Sequence, residues 1–306
     1  MDRLKAMSAF AHTVELGSFS AAADSLHTTQ SNISKLVALL ERDLGVRLLE
    51  RSARTLVLTA QGERYLQRVR LILSAVDAAR QDLAASRSEL SGTIRIAASW
   101  AFGRTQIIPV LNGLMQHHPS LDIDLRLSDQ TVNLVREGVD LAFRVAHLKD
   151  SDLIARRIGQ TRRLTVAAPD YLTRHGTPRS PEDLEQHHCI YHTGIGLPRI
   201  WRFRRGTRTI SVRILGRFQA NASEAIREAA VNGLGVALLP EWMLSADIEA
   251  GRLRVLLDRY QTAPLPIHAV MSRNNRGSTR IKAVLEYFET RFASTFGDVS
   301  GRPTQE

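Results

Sequence analysis

The chain has 306 residues, more than one hydrophobic core usually organises, so two or three structural units are expected. A hydrophobic fraction of 43% and a charged fraction of 24% exclude a disordered or fibrous chain, and no apolar run reaches the roughly 18 residues needed to span a bilayer. The net charge of +10 points towards nucleic acid or another polyanion as partner.

The start, Met1-Asp2-Arg3-Leu4-Lys5-Ala6, has no basic-then-apolar leader, and the single Cys189 forbids an intrachain disulfide. A cytoplasmic protein without membrane association is expected. Leu4, Met7, Phe10, Ala11 and Val14 recur at helical spacing, and Gly17 ends that helix. Ser18 then caps a short alanine-rich helix over Phe19 to Leu26, and Thr28-Thr29 caps a third helix running to about Asp43, closed by Gly45. Two short helices joined by a tight turn are a helix-turn-helix.

The third helix has two unlike faces. Ile33, Leu36, Val37 and Leu40 share the side that would pack inward. Ser31, Ser34, Lys35 and Ala38 share the other, with Gln30 at its N-terminal end and no acid before Glu41. Gln and Asn bond base edges, Ser bonds bases or phosphates, and Lys adds a cation, so this face suits close approach to DNA; an ordinary amphipathic surface helix reads the same way. Leu56 and Leu58 alternate in a β-ribbon whose tip holds Arg51 to Arg54, a basic wing able to reach phosphates or the minor groove.

Thr59 caps a long helix from Ala60 to Arg87, about 28 residues and roughly 40 Å at ~1.5 Å per residue. Val69, Ile72, Val76, Ala79 and Leu83 form a heptad seam, for which a helix of a second subunit is the expected partner. After Ser91-Gly92 the pattern becomes α/β. Strands are expected at Thr93–Ala98, Leu121–Leu127 and Asp140–Arg144, with a helix from about Phe102 and a helical turn or two over Val132–Glu137, giving a parallel βαβαβ sheet. A second set follows: a strand at Leu164–Ala168, a helix from Ser223 to Asn232, and a strand at Gly235–Pro240. A last strand, Pro266–Met271, and a helix, Arg280–Phe292, end the ordered chain. Residues 298–306 are expected to be a loose tail.

The densest basic run, Arg199 to Arg217, has seven arginines and no acid. It reads as a hairpin turning near Arg205-Gly206, whose arginines are solubilising or touch DNA or an anionic effector. Residues 1–70 carry ten Lys or Arg against seven Asp or Glu, so the net charge does not by itself locate a binding surface.

Phe10 to Glu15, Gly17 to Ala23, Leu26, Gln30 to Lys35, Leu40-Glu41, Leu44-Gly45, Leu48 to Arg51 and Leu58-Thr59 to Gly62 together resemble the LysR-type transcriptional regulators. The resemblance covers about residues 1–295. It implies an α + α/β chain: an N-terminal winged helix-turn-helix (1–59), a long linker and dimerisation helix (60–90), and a C-terminal two-lobed periplasmic-binding-protein-like effector domain (91–297). The second lobe, about 162–264, would be inserted into the first, about 92–161 and 265–297. The family commonly forms tetramers on two-fold-related promoter sites, so homodimers or homotetramers, double-stranded promoter DNA, a small-molecule effector and RNA polymerase are the implied partners. Gln30, Ser31, Ser34 and Lys35 fall where relatives meet DNA and Arg54 falls on the wing; with Asn32 and Arg51 they are the candidate DNA contacts. Lys35 stands where relatives often carry arginine, keeping the charge without bidentate guanine recognition.

Small ligands of such a fold lie between the lobes, near strand ends and helix N-termini. The candidate effector residues are Ser99, Trp100, Phe102, Ser128, Arg144, Asn221 and Ser223. Backbone N–H groups after Ser99 suit an anion. Arg144 suits a carboxylate or a structural salt bridge, and Trp100 and Phe102 suit an aromatic effector or the core. His187-His188-Cys189-Ile190-Tyr191-His192 is the one metal-like cluster, but it lacks the second ligand pair of a zinc site and reads as surface and strand-start residues. There is no G-x-S-x-G, H-E-x-x-H or G-x-x-x-x-G-K-[ST] motif, so neither cofactor, metal nor catalysis is expected. The alternative reading is a cytoplasmic solute-binding or catalytic α/β protein whose N-terminal helices only dimerise it.

Overall fold

The computed structural model describes residues 2–51, 56–84, 90–148, 152–193 and 199–297. Helix α1 (Arg3–Glu15) starts at Asp2, whose carboxylate accepts from the Lys5 N–H at 3.2 Å. Ser18 caps α2 (Phe19–Ser25), its hydroxyl accepting from the N–H groups of Ser20 and Ala21. Thr29 caps α3 (Gln30–Leu44), which ends at Gly45 with φ +68°, a left-handed conformation that glycine adopts without strain. Alanines 6, 9, 22 and 23 let these helices approach closely around Phe10, Ile33, Val37 and Leu40. Each buried large side chain contributes about 1.5–3 kcal/mol.

The ribbon is β1 (Leu49–Arg51) antiparallel to β2 (Leu56–Leu58), with Leu49 opposite Leu58 and Arg51 opposite Leu56. Helix α4 (Ala60–Ala84) follows Thr59, whose hydroxyl accepts from the Gly62 N–H at 2.9 Å. Here the expected seam needs correcting. Val69 is fully buried in the core of α1–α3, so its methyls are not available to a partner helix, whereas Ile72 is 39% exposed. The side chains of Ala79 and Leu83 lie outside those described.

The second unit follows in chain order. It begins with β3 (Gly92–Ala98), α5 (Trp100–Phe102), a π-helical turn (Gly103–Ile107), α6 (Ile108–His117), β4 (Leu121–Leu127), β5 (Leu141–Val145) and β6 (Ile154–Thr161). The chain then passes through β7 (Arg163–Ala167), α7 (Pro169–His175), β8 (Cys189–His192), β9 (Ile200–Arg205), β10 (Arg208–Arg213), β11 (Gln219–Ala220), α8 (Ser223–Val231) and β12 (Val236–Pro240). It closes with α9 (Ser245–Glu249), β13 (Arg254–Leu256), β14 (Gln261–Thr262), β15 (Leu265–Met271) and α10 (Thr279–Phe296). The first sheet has the order β4-β3-β5-β15-β6 and the second β11-β8-β12-β7-β13; β10-β9-β14 form a separate three-stranded sheet.

Only part of the first sheet is parallel as expected. β3 runs parallel to β4 and β5, but β15 is antiparallel to both of its neighbours, and β7 is antiparallel to β12 and β13. β6 was not anticipated, because its sequence does not alternate and its pairing with β15 shifts register between Ile267 and His268. Val132–Glu137 is a hydrogen-bonded turn rather than a helix: the Asn133 N–H donates to Glu137 Oε1 at 3.2 Å, the Arg136 N–H donates to Asn133 Oδ1 at 3.0 Å, and Gly138 ends it at φ +63°. The helix expected from Phe102 starts at Trp100 and widens into the π turn just before Pro109, which has no N–H to offer the carbonyl four residues back. On one face of the first sheet, Ile94, Ile96, Leu141, Phe143 and Ile267 pack against Leu111 and Leu114 of α6 and Val284, Phe288 and Phe292 of α10.

Candidate functional site

The outward face of α3 follows from its inward one. With Ile33, Val37 and Leu40 buried, the helical period leaves Gln30, Ser31, Asn32 and Lys35 exposed and Ser34 half-buried. The N-terminal turn is organised by hydroxyls: Thr29 Oγ1 and Ser31 Oγ are 3.1 Å apart, and the Asn32 amide donates to Thr28 Oγ1 at 3.0 Å. That bond orients the Asn32 side chain and leaves its carbonyl oxygen for another donor. Glu41, the first acid on the helix, does not face outward with them. Its Oε1 accepts from the backbone N–H groups of Leu48 at 2.7 Å and Leu49 at 3.1 Å, tying the helix to β1. Arg51 ends β1, where its backbone pairs with Leu56, while Arg54 lies outside the described residues.

α5, which follows β3, and strand β8 both lie against α8. The Arg104 guanidinium donates to Glu224 Oε1 at 2.7 Å, and Glu224 also pairs with Arg227, which continues to Asp247 and Arg252. Burial pushes the Glu224 carboxyl up, but hydrogen bonds from Arg104 and Arg227 outweigh it and hold the group below its ordinary value. α5 acts as a wedge: Ala101 joins the core around α8 and β12, while Phe102 joins the core of the first sheet. Ser99 is half-buried, Asn221 exposed and Ser223 half-buried, and among the described residues their side chains form no hydrogen bond. Ser128 is half-buried and its hydroxyl accepts from the Gln130 N–H at 3.1 Å.

Three sequence expectations change here. Phe102 is fully buried between Trp242, Phe292 and Phe296, so it is core; Trp100, 57% exposed, remains a candidate ligand contact. The N–H of Trp100 donates to Asp129 Oδ1 at 3.2 Å, so that end of α5 already holds a carboxylate and is not an open anion cradle. Arg144 forms no salt bridge among the described residues; it donates to the Val132 carbonyl at 3.1 Å, and burial pushes its pKa down.

Asp129 and His192 were not singled out for this region. Burial pushes the His192 imidazole down while the Asp129 charge partly restores it, which links the end of β4 to the end of β8. Their positions gave the only available signal, Asp129 directly following Ser128 and His192 ending the flagged histidine run.

The rest of that run is structural. His187 is buried rather than at the surface, with Nδ1 3.2 Å from the Tyr171 hydroxyl, and that hydroxyl accepts from the His188 N–H at 3.0 Å. Cys189 is buried and its thiol is pushed up to about 12, which suppresses the thiolate. Among the described residues no group of three or more His, Cys, Asp or Glu is placed to hold a metal ion, and no helix is long and apolar enough to cross a membrane.

A capped helix-turn-helix with a β-ribbon, followed by paired α/β lobes, defines a DNA-binding module joined to a ligand-binding module. Residues 4–63 match the bacterial regulatory helix-turn-helix protein, lysR family, and residues 87–293 match the LysR substrate binding domain. The chain is 32% identical to the HTH-type transcriptional activator AaeR of Escherichia coli over 99% of both chains. It is similar to the structure of CrgA, a LysR-type regulator from Neisseria meningitidis, with 30% identity and a TM-score of 0.60 over 94% of this chain and 98% of that one. Full-length AphB, a virulence activator of Vibrio cholerae, shares 29% identity with a TM-score of 0.59 over 93% of this chain and 98% of that one. The protein belongs to the LysR family of bacterial transcriptional regulators, with a helix-turn-helix DNA-binding domain and an effector-binding domain.

Proposed function

We propose that this regulator is a cytoplasmic homodimer or homotetramer that reads double-stranded promoter DNA with Gln30, Ser31, Asn32, Ser34 and Lys35 of α3. Arg51 and Arg54 of the ribbon hold the adjacent backbone. Residues 1–59 serve as the DNA-binding domain, 60–90 as the linker between protomers, and 91–297 as the effector domain. Gln30 and Asn32 supply base-edge donors and acceptors, Ser31 and Ser34 supply short hydroxyls, and Lys35 supplies a phosphate or guanine contact. A two-fold protein matches a two-fold operator.

The effector is a small molecule held between the lobes by Ser99, Trp100, Ser128, Asn221 and Ser223, with Arg144 as the cation for an anionic one. Binding shifts the regulator only if the two lobe arrangements differ in affinity, and the shift alters how the DNA is presented to RNA polymerase. The observation that carries the DNA assignment is the outward face of α3 from Gln30 to Ala38, which holds no carboxylate and from which Glu41 is withdrawn to the ribbon backbone.

Fluorescence anisotropy on the region upstream of the protein's own gene, against unrelated DNA of equal length, tests it. The wild type should prefer the promoter fragment, and Ser34→Ala/Lys35→Ala should lose that preference while staying folded. A folded wild type that binds neither duplex at low salt overturns the assignment.

A further inference from the structure

The arginine-rich hairpin is used by neither DNA-reading helix nor cleft, and its geometry points to a second function. We propose that the outer face of the β9–β10 hairpin, in the effector domain, is itself a phosphate-binding surface that grips DNA backbone beyond the bases read by α3.

The hairpin has two faces of opposite chemistry. Trp201, Phe203, Ile210 and Val212 turn inward to the second-sheet core, with Phe203 and Val212 fully buried. Strand alternation then places Arg202 and Arg204 of β9, Thr209, Ser211 and Arg213 of β10, and Gln261 of β14 on the outer face, and all six are exposed. Ser211 stands opposite Arg202 and Thr209 opposite Arg204, so guanidinium forks and hydroxyl donors alternate across the strands. Arg205 and Arg208 pair at the tip, where Gly206 takes φ +58°.

Among the described residues, none of the seven arginines from Arg199 to Arg217 forms an ion pair. Arg199 and Arg205 lie over the rings of Tyr191 and Tyr260, and Arg204 donates to the Gln261 side chain at 3.2 Å. Glu182, Asp183 and Glu185 sit on the 3-10 turn packed against β10, yet none pairs with a hairpin arginine. Like charges held on neighbouring strands repel one another, so an anionic partner lowers the energy of this face. Guanidinium forks match phosphate oxygens bidentately and Ser and Thr hydroxyls complete such contacts. The outer rows of β9 and β10 present a single large apolar side chain, Ile200. A protein interface is built around buried aromatic or aliphatic anchors, and this face offers guanidinium and hydroxyl groups in their place. DNA backbone is therefore the occupant its chemistry fits. The proposal rests on the DNA assignment to α3, which would deliver the DNA.

The test uses the full-length protein and a promoter duplex extending several helical turns beyond the protected sequence. Anisotropy is measured across a salt series for the wild type, for R202Q/R204Q/R213Q and for a control of equal charge change, R179Q/R254Q/R291Q. Each lost phosphate contact removes about 0.9 from the slope of log affinity against log salt, so the hairpin variant should lose between about 2 and 3 and bind at least tenfold more weakly near physiological salt. The control should keep the wild-type slope, and R204Q alone should lose about 0.9. Ser34→Ala/Lys35→Ala should lose promoter preference yet keep the hairpin contribution, which separates the two assignments. An unchanged slope in the hairpin triple variant, or an equal fall in the control, overturns the proposal; the first result leaves the face to an acidic protein.

Discussion

The carboxylate of Glu41 accepts the backbone N–H of Leu48 at 2.7 Å, a contact that ties α3 to the start of the ribbon. The same oxygen takes the Leu49 N–H at 3.1 Å, so a single side chain satisfies two backbone donors beside fully buried Leu48. The contact also turns Glu41 away from the outward face, while Asp43, the other acid of α3, pairs with Arg3 at 3.1 Å.

Glu41→Ala leaves both N–H groups without their acceptor, and a charged hydrogen bond of this kind contributes about 1.5–3 kcal/mol. The expected outcome is destabilisation of that size in urea unfolding of the full chain. Glu41→Gln, whose amide oxygen still accepts, should lose less. Equal stability of Glu41→Ala and wild type would show that the contact does not hold the ribbon.

Gly62 faces the same junction. A Cβ built there would stand 2.0 Å from the Leu48 carbonyl oxygen, a backbone atom that cannot swing away. Gly62→Ala should therefore cost about 1–3 kcal/mol through forced displacement, despite alanine's better helix propensity. Thr59→Ala, which removes the cap of α4, should cost about 1 kcal/mol. Thermal unfolding of the two variants measures both, and a stabilised Gly62→Ala would refute the close approach.

Stability should fall in two stages on acidification. His187, His192 and His268 are each held below the ordinary imidazole value, mainly by burial. The unfolded chain therefore takes up these protons first, and stability is complete above about pH 6.5 and lost below it. Asp124 and Glu224, where arginine hydrogen bonds outweigh burial, and Glu241, bonded to Arg162, are held below the ordinary carboxylate value. Their contribution is present above about pH 4 and disappears as pH falls through the folded values. A melting temperature that declines below about 6.5 and more steeply below about 4 is expected; one that rises between 7 and 5 contradicts this.

Cys189 is 1% exposed with its thiol near 12, so it should not react with a thiol reagent at pH 8 in the native protein. Full reaction should appear only in denaturant. Rapid native labelling would mean that β8 opens.

Much of the N-terminal domain was legible because its signals are local. Ser18, Thr29 and Thr59 cap the helices they precede, and Ile33, Val37 and Leu40 bury the face that leaves Gln30, Ser31 and Lys35 outside. The hairpin turn at Arg205-Gly206 was legible for the same reason. Local chemistry could not reveal β6, which lacks alternation and gains its place only by pairing with β15 from a distant part of the chain.

The candidate effector site was less legible because it depends on which long-range neighbour reaches each residue first. Phe102 looks the same in sequence whether it lines a cleft or a core; Trp242, Phe292 and Phe296 closing around it made it core. Trp100 offers the N–H expected of an anion cradle, but Asp129 arrives from the next strand to occupy it. By itself the sequence determined the capped helices, the alternating strands and the family, since periodicity and capping act over a few residues. Only the tertiary structure decided sheet order, the fate of Phe102 and Arg144, and the lack of a carboxylate partner for the hairpin arginines among the described residues, because burial and charge pairing belong to residues brought together from far apart.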